Sequence, residues 1–110
     1  MYEPSRRIET FHITGFQHWD GALVLNNLKP GMAVDLVAEP ENPYDPEAVA
    51  LFYQGVKLGY VPSSQNSTLS LMAFYGHAGI FEARVLQVKP DADPWEQVRI
   101  GVFVKDNRED

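Results

Sequence analysis

Glu39-Pro40-Glu41-Asn42-Pro43-Tyr44-Asp45-Pro46-Glu47-Ala48 separates two apolar runs, and its reading decides how the rest of the chain is assembled. Prolines at 40, 43 and 46 fix φ and push the preceding residues out of the helical region. The segment is therefore stiff and extended. Asn42 and Asp45 each precede a proline, and their short polar side chains can bond nearby backbone amides. Tyr44 is the one large side chain in the middle. Two readings follow. In one, the segment is a rigid loop in which Asn42 and Asp45 hold the backbone and Tyr44 covers the fold. In the other it is a preorganised site, an aromatic platform beside an acceptor carboxylate and an amide. That set suits a nucleobase and a sugar hydroxyl: the ring stacks and Asp45 accepts the hydroxyl hydrogen.

The runs on either side are strand-like. Upstream, Met32 to Glu39 alternates, with Val34, Leu36 and Ala38 on one face and Asp35, Val37 and Glu39 on the other. Downstream, Ala48 to Tyr53 is almost continuously apolar, as expected of a strand covered on both faces. Gln54-Gly55 can close a tight hairpin onto Val56 to Val61, because glycine tolerates positive φ. Pro62-Ser63-Ser64 reads as a helix start with a serine cap. Leu69, Met72 and Ala73 follow at helical spacing, as do Leu71, Phe74 and Tyr75, and Gly76 ends the helix. Ile80 to Lys89 is a further run, with Phe81, Ala83 and Val85 on one face. Lys89 to Glu96 reads as a loop around Pro90 and Pro94, and Val98, Ile100, Val102 and Val104 form the last alternating run.

Toward the start, Ile8 to Gly15 places Phe11 and Ile13 opposite Thr10, His12 and Thr14. Gly15 to Gly21 breaks the pattern, Ala22 to Leu28 reads as a short helix, and Lys29-Pro30-Gly31 is a turn. Residues 1–7 are expected to be frayed and 105–110 to form a polar tail, leaving 8–104 as a single domain. Six runs with one main helix predict a mainly β, mostly antiparallel domain. A small closed or partly open barrel is the economical arrangement, because closure removes exposed edges.

Composition narrows the function. The 110 residues are 45% hydrophobic and 22% charged, an ordinary globular balance. No apolar run approaches the ~20 residues that span a bilayer, so no membrane partner is expected. The start lacks the apolar stretch of a signal peptide, which favours the cytoplasm. There is no cysteine, which excludes disulfides and thiolate zinc sites. The net charge of −6 repels a polyanion at long range, and the tail, with two bases and three acids, does not account for it. Any nucleic-acid site must be local and make few phosphate contacts.

Glu-Pro-Glu-Asn-Pro-Tyr-Asp-Pro-Glu-Ala-Val-Ala resembles the signature of the HIRAN domain family. Gly59-Tyr60-Val61-Pro62 stands where that family has a Gly-Tyr-Val-Pro element opening a helix, and Ile13-Thr14-Gly15-Phe16 corresponds to its Val-Gly-aromatic pattern after the first strand. The resemblance covers roughly Ile8 to Val104. It implies an OB-like β-barrel with helical additions, found fused to helicase-like translocases and as small stand-alone bacterial proteins. It also implies capture of the 3′ end of single-stranded DNA, with aromatic rings stacking on terminal bases and an aspartate on the free 3′-hydroxyl. On this chain the stacking tyrosine falls on Tyr44, the aspartate on Asp45 and the motif asparagine on Asn42. An Arg-Tyr-Tyr run falls on Gln17-His18-Trp19, so the arginine is absent. A lysine after the Gly-Tyr-Val-Pro element is also absent, with Ser63 near its place. Tyr60 completes the candidate nucleic-acid-binding set. With two phosphate-binding cations missing, DNA-end binding is expected to be weak and salt-sensitive.

Other constellations are thinner. His18-Trp19 is either a second stacking wall opposite Tyr44 or a tryptophan packed on the barrel beside a solvated histidine. His12, His18 and His77 are isolated, and the acids from Glu39 to Glu47 lack EF-hand spacing, so no metal or cofactor is expected. Asp91, Asp93 and Glu96 read as surface, with Trp95 bordering the pocket. No cysteine nucleophile, Gly-x-Ser-x-Gly elbow or Walker loop is present, which argues against an enzyme. Two partner classes remain: a single-stranded DNA end, or a protein, including a helicase or translocase, docking on an acidic interaction module.

Overall fold

The computed structural model describes residues 5–105; the frayed ends expected at residues 1–4 and 106–110 lie outside them. Strand β1 (Ser5–His12) begins inside the stretch expected to be frayed. Ser5, Arg6 and Arg7 pair with Lys105, Val104 and Phe103 of β6 (Val98–Lys105). The long last run supplies the backbone partner that draws these residues into the sheet.

Between them lie α1 (Gly21–Val24), running on into a 3-10 turn at Leu25–Asn27, β2 (Ala33–Ala38), β3 (Val49–Tyr53), β4 (Val56–Tyr60), α2 (Ser67–Phe74) and β5 (Phe81–Val88). The six strands form one curled antiparallel sheet in the order β1-β6-β5-β2-β3-β4. The fold is thus mainly β with one main helix, as the alternating runs predicted, in the OB-like arrangement that the resemblance implied.

Periodicity sets the faces. Phe81, Ala83 and Val85 of β5 meet Val98, Ile100 and Val102 of β6 in the core, while β3 is covered on both sides at Val49, Ala50 and Leu51. Each large aliphatic side chain removed from water contributes about 1.5–3 kcal/mol. Gln54 and Gly55 both take positive φ, 47° and 81°, and close the two-residue hairpin between Tyr53 and Val56.

The two edges of the sheet meet through the chain that leaves β1. Ile13 donates its N–H to Val98 O at 3.1 Å, and Thr14 exchanges two 2.9 Å backbone hydrogen bonds with Tyr60. Gly59 permits this approach. Its φ is 147°, and a Cβ there would lie 2.5 Å from Thr14 O. A shift of register between Leu51 and Phe52 bends β4 at the same level.

The main helix starts later than Pro62-Ser63-Ser64 suggests. Pro62 to Gln65 is a turn closed by Gln65 N–H to Pro62 O at 2.9 Å, and α2 opens at Ser67 with no side-chain cap. The cause is tertiary. The Gln65 side chain donates to Glu9 Oε2 and Thr10 O, and the Asn66 amide, at the cap position, is turned away to Asp45. Among the described residues no helix is long and apolar enough to cross a membrane.

Candidate nucleic-acid interface

The loop between β2 and β3 is held by its own short-range bonds. Asn42 Oδ1 accepts the N–H of Tyr44 at 2.9 Å and of Asp45 at 3.1 Å, an Asx turn. Asp45 Oδ1 accepts the Glu47 N–H at 2.9 Å, and Glu39 N–H reaches Ala48 O at 2.8 Å across the base of the loop. Asn42 and Asp45 therefore do hold the backbone. Tyr44, however, covers nothing: it is 95% exposed.

Asp45 is tied from below as well. Its Oδ2 accepts a 2.9 Å hydrogen bond from Asn66 Nδ2, and Asn66 is only 2% exposed. A carboxylate offers about four acceptor positions. The two named donors fix the Asp45 group and leave it capacity for a ligand hydroxyl.

On the floor beside this loop the sequence pointed to Tyr60 and Asn42 but not to Lys57 or Glu39. Lys57 of β4 donates to Glu39 Oε2 at 2.8 Å and to Tyr60 Oη at 2.7 Å. Tyr60 Oη in turn donates to Glu39 Oε1 at 2.8 Å, which also accepts Asn42 Nδ2 at 3.1 Å. The Lys57 nitrogen lies 3.9 Å from the centre of the Trp19 ring, and Trp19 meets Tyr60 edge-on at 6.0 Å. Burial opposes charge on Glu39, but the hydrogen bonds from Lys57, Tyr60 and Asn42 outweigh it and hold the carboxyl below its ordinary range. Burial likewise opposes charge on Lys57, and the Glu39 and Tyr60 partners lift the ammonium above its usual value nonetheless. The sequence signal for Lys57 is slight: one charge inside the otherwise apolar Val56 to Val61 run.

These groups line a groove of about 900 Å³. Six of the eight sequence candidates face it: Trp19, Asn42, Tyr44, Asp45, Tyr60 and Ser63. Gln17 and His18 do not. They follow Gly15 on a short 3-10 turn and border a neighbouring depression with His12, Gln65 and Trp95; Thr14 lines both. Trp19 is thus the wall residue of the Gln17-His18-Trp19 run, and His18 is solvated. Among the described residues, Glu39, Glu41 and Asp45 set three carboxylates in the groove against the single ammonium of Lys57. Among the described residues no three His, Cys, Asp or Glu side chains are grouped to hold a metal ion.

A family model described as the HIRAN domain matches residues 10–105. A crystal structure of a protein from Lactobacillus plantarum superposes with a TM-score of 0.72 at 24% identity, over 91% of this chain and 94% of that one. The HIRAN domain of human HLTF superposes with a TM-score of 0.60 at 16% identity, over 93% and 81% of the respective chains. At these identities both likenesses bear on the fold alone. No curated protein matches the chain.

Proposed function

The chain belongs to the HIRAN domain family, and from that membership and the geometry around Tyr44 we propose that it is a non-enzymatic module that holds the 3′-hydroxyl end of a single DNA strand. The terminal base stacks on Tyr44, with Trp19 as the facing wall. Stacking of this kind is worth about 1–3 kcal/mol per base. Asp45 accepts the terminal hydroxyl hydrogen, a charge-assisted bond worth about 1.5–3 kcal/mol. The acidic lining disfavours a terminal phosphate, so the groove selects an uncharged sugar end. With few phosphate contacts, stacking and the hydroxyl bond carry the affinity, which stays weak. The place of action is the cytoplasm, alone or beside a translocase.

The observation that carries this reading is an unsupported, fully presented tyrosine next to a carboxylate that is anchored yet unsaturated. Fluorescence anisotropy with one short oligonucleotide ending in a 3′-hydroxyl or a 3′-phosphate tests it. The hydroxyl form is expected to bind about tenfold tighter or more. Equal binding of the two, or none at low salt, overturns the proposal.

A protein partner is the second reading. It is favoured by the acidic groove and by Leu71, Phe74 and Tyr75, which α2 and its end leave exposed. Loss of a specific protein partner in Tyr44→Ala, with no measurable DNA binding by the wild-type chain, would establish it.

A further inference from the structure

Among the described residues Lys57 is the one groove cation, and the proposed function gives it no task. Its ammonium has three N–H bonds. Two are directed at Glu39 Oε2 and Tyr60 Oη, at 2.8 and 2.7 Å, and the Trp19 ring face lies 3.9 Å away. The side chain is 16% exposed, and its Glu39 partner 26%. Glu39 accepts from Lys57, Tyr60 and Asn42, so each group on the floor is satisfied by another. All of them line the groove, and Trp19, 41% exposed, is the most open member of the cluster.

We infer that Lys57 is a positioning residue. It neutralises Glu39 beneath the groove and holds the Trp19 indole as a fixed wall, and it does not touch the phosphates of a bound strand. A partly desolvated cation over an indole face contributes substantially to holding that ring. Removing the ammonium alone would leave Glu39 charged under the wall, with its strongest donor gone and no counter-ion. Removing both charges would not. For its ligand readout the inference rests on the end-capture reading.

The test compares Lys57→Met, Lys57→Arg and the double variant Glu39→Gln/Lys57→Met with the wild-type chain. Two readouts are used: affinity for a short oligothymidylate with a free 3′-hydroxyl across a salt series, and the indole N–H signal of Trp19 in ligand-free protein, assigned with Trp19→Phe. Lys57→Met is expected to weaken binding about tenfold while leaving the slope of log affinity against log salt unchanged. The double variant is expected to regain most of the lost affinity, and the indole signal to move in Lys57→Met but stay near its wild-type position in Lys57→Arg. A slope shallower by about 0.7 in Lys57→Met identifies a phosphate contact and overturns the inference. So does an unmoved indole signal, or a double variant no better than the single one. If Lys57→Met fails to fold, recovery of folding in the double variant supports the counter-ion role and its absence overturns it. If the wild-type chain binds no oligonucleotide, end capture fails, while the indole signal still decides the positioning of Trp19.

Discussion

The two walls of the groove are built in opposite ways. On the Asn42–Asp45 wall the backbone is fixed by bonds two and three residues long, and the aromatic ring is left free. On the Trp19 wall the ring itself is held, by a lysine and a tyrosine about forty residues further along the chain. The first wall is a preformed platform. The second exists only when β1 and β4 are joined. A strand end held between them as proposed would therefore sense local loop chemistry on one side and closure of the barrel on the other.

Breaking the closure should have the largest effect. Gly59→Ala places a Cβ against Thr14 O and Ile13 at a φ of 147°. Strain and overlap together should cost about 3 kcal/mol or more, read as a fall in urea midpoint at unchanged m. The Trp19 wall should be lost with it, since Tyr60 and Lys57 are on the same strand. A stability near wild type would show that the seam is not what brings the walls together.

Asn66→Ala is expected to come next. It removes the buried donor to Asp45 Oδ2 and should cost about 2 kcal/mol, the range for a hydrogen bond to a charged group. It also frees the Asp45 carboxylate to rotate, so preference for a 3′-hydroxyl over a 3′-phosphate should narrow. Destabilisation without that narrowing would assign Asn66 to the fold alone.

The Glu39–Lys57 pair should give a smaller, pH-dependent effect. The carboxyl of Glu39 titrates lower in the folded chain than unfolded, so the unfolded state binds the extra proton first. The pair's contribution is present above the ordinary glutamate range and is lost as pH falls through the depressed value. The raised ammonium of Lys57 gives the mirror limb, lost only as pH climbs above the ordinary lysine range. Thermal unfolding over about pH 3 to 7 should show the acid limb in the wild-type chain and a reduced one in Glu39→Gln, with an amplitude of about 1 kcal/mol or less.

The order of these effects follows how far apart the interacting residues are, and so does what could be read from sequence. Strand alternation at Val34 to Ala38, the Gln54-Gly55 hairpin and the Asx turn at Asn42 are set by neighbours and were legible. The helix start was misplaced because Pro62-Ser63-Ser64 has the local pattern of a cap, whereas Gln65 and Asn66 are committed to Glu9, Thr10 and Asp45. Lys57 escaped for the same reason. Its partners Glu39 and Trp19 are distant in the chain, and a lone lysine in a strand reads as a solvated one. Gln17 and His18 were grouped with Trp19 because the resemblance lays a family Arg-Tyr-Tyr run over the three, but the short turn after Gly15 carries the first two round to the next depression.

Tyr44→Ala should be the smallest perturbation of stability and the sharpest test of the first wall. Among the described residues Tyr44 contributes only its backbone N–H to the hydrogen-bond network, and alanine keeps that group. Its ring is 95% exposed, so truncation removes almost no buried surface. Stability should stay within about 0.5 kcal/mol of wild type. Affinity for a 3′-hydroxyl oligonucleotide should nonetheless fall about tenfold, because the proposed function stacks the terminal base on this ring. The corresponding change on the other wall, Trp19→Ala, removes packing on Lys57 and Tyr60 as well and should lower both stability and affinity. If Tyr44→Ala also lowered stability, the platform would be a structural part of the barrel, and the contrast between the two walls would disappear.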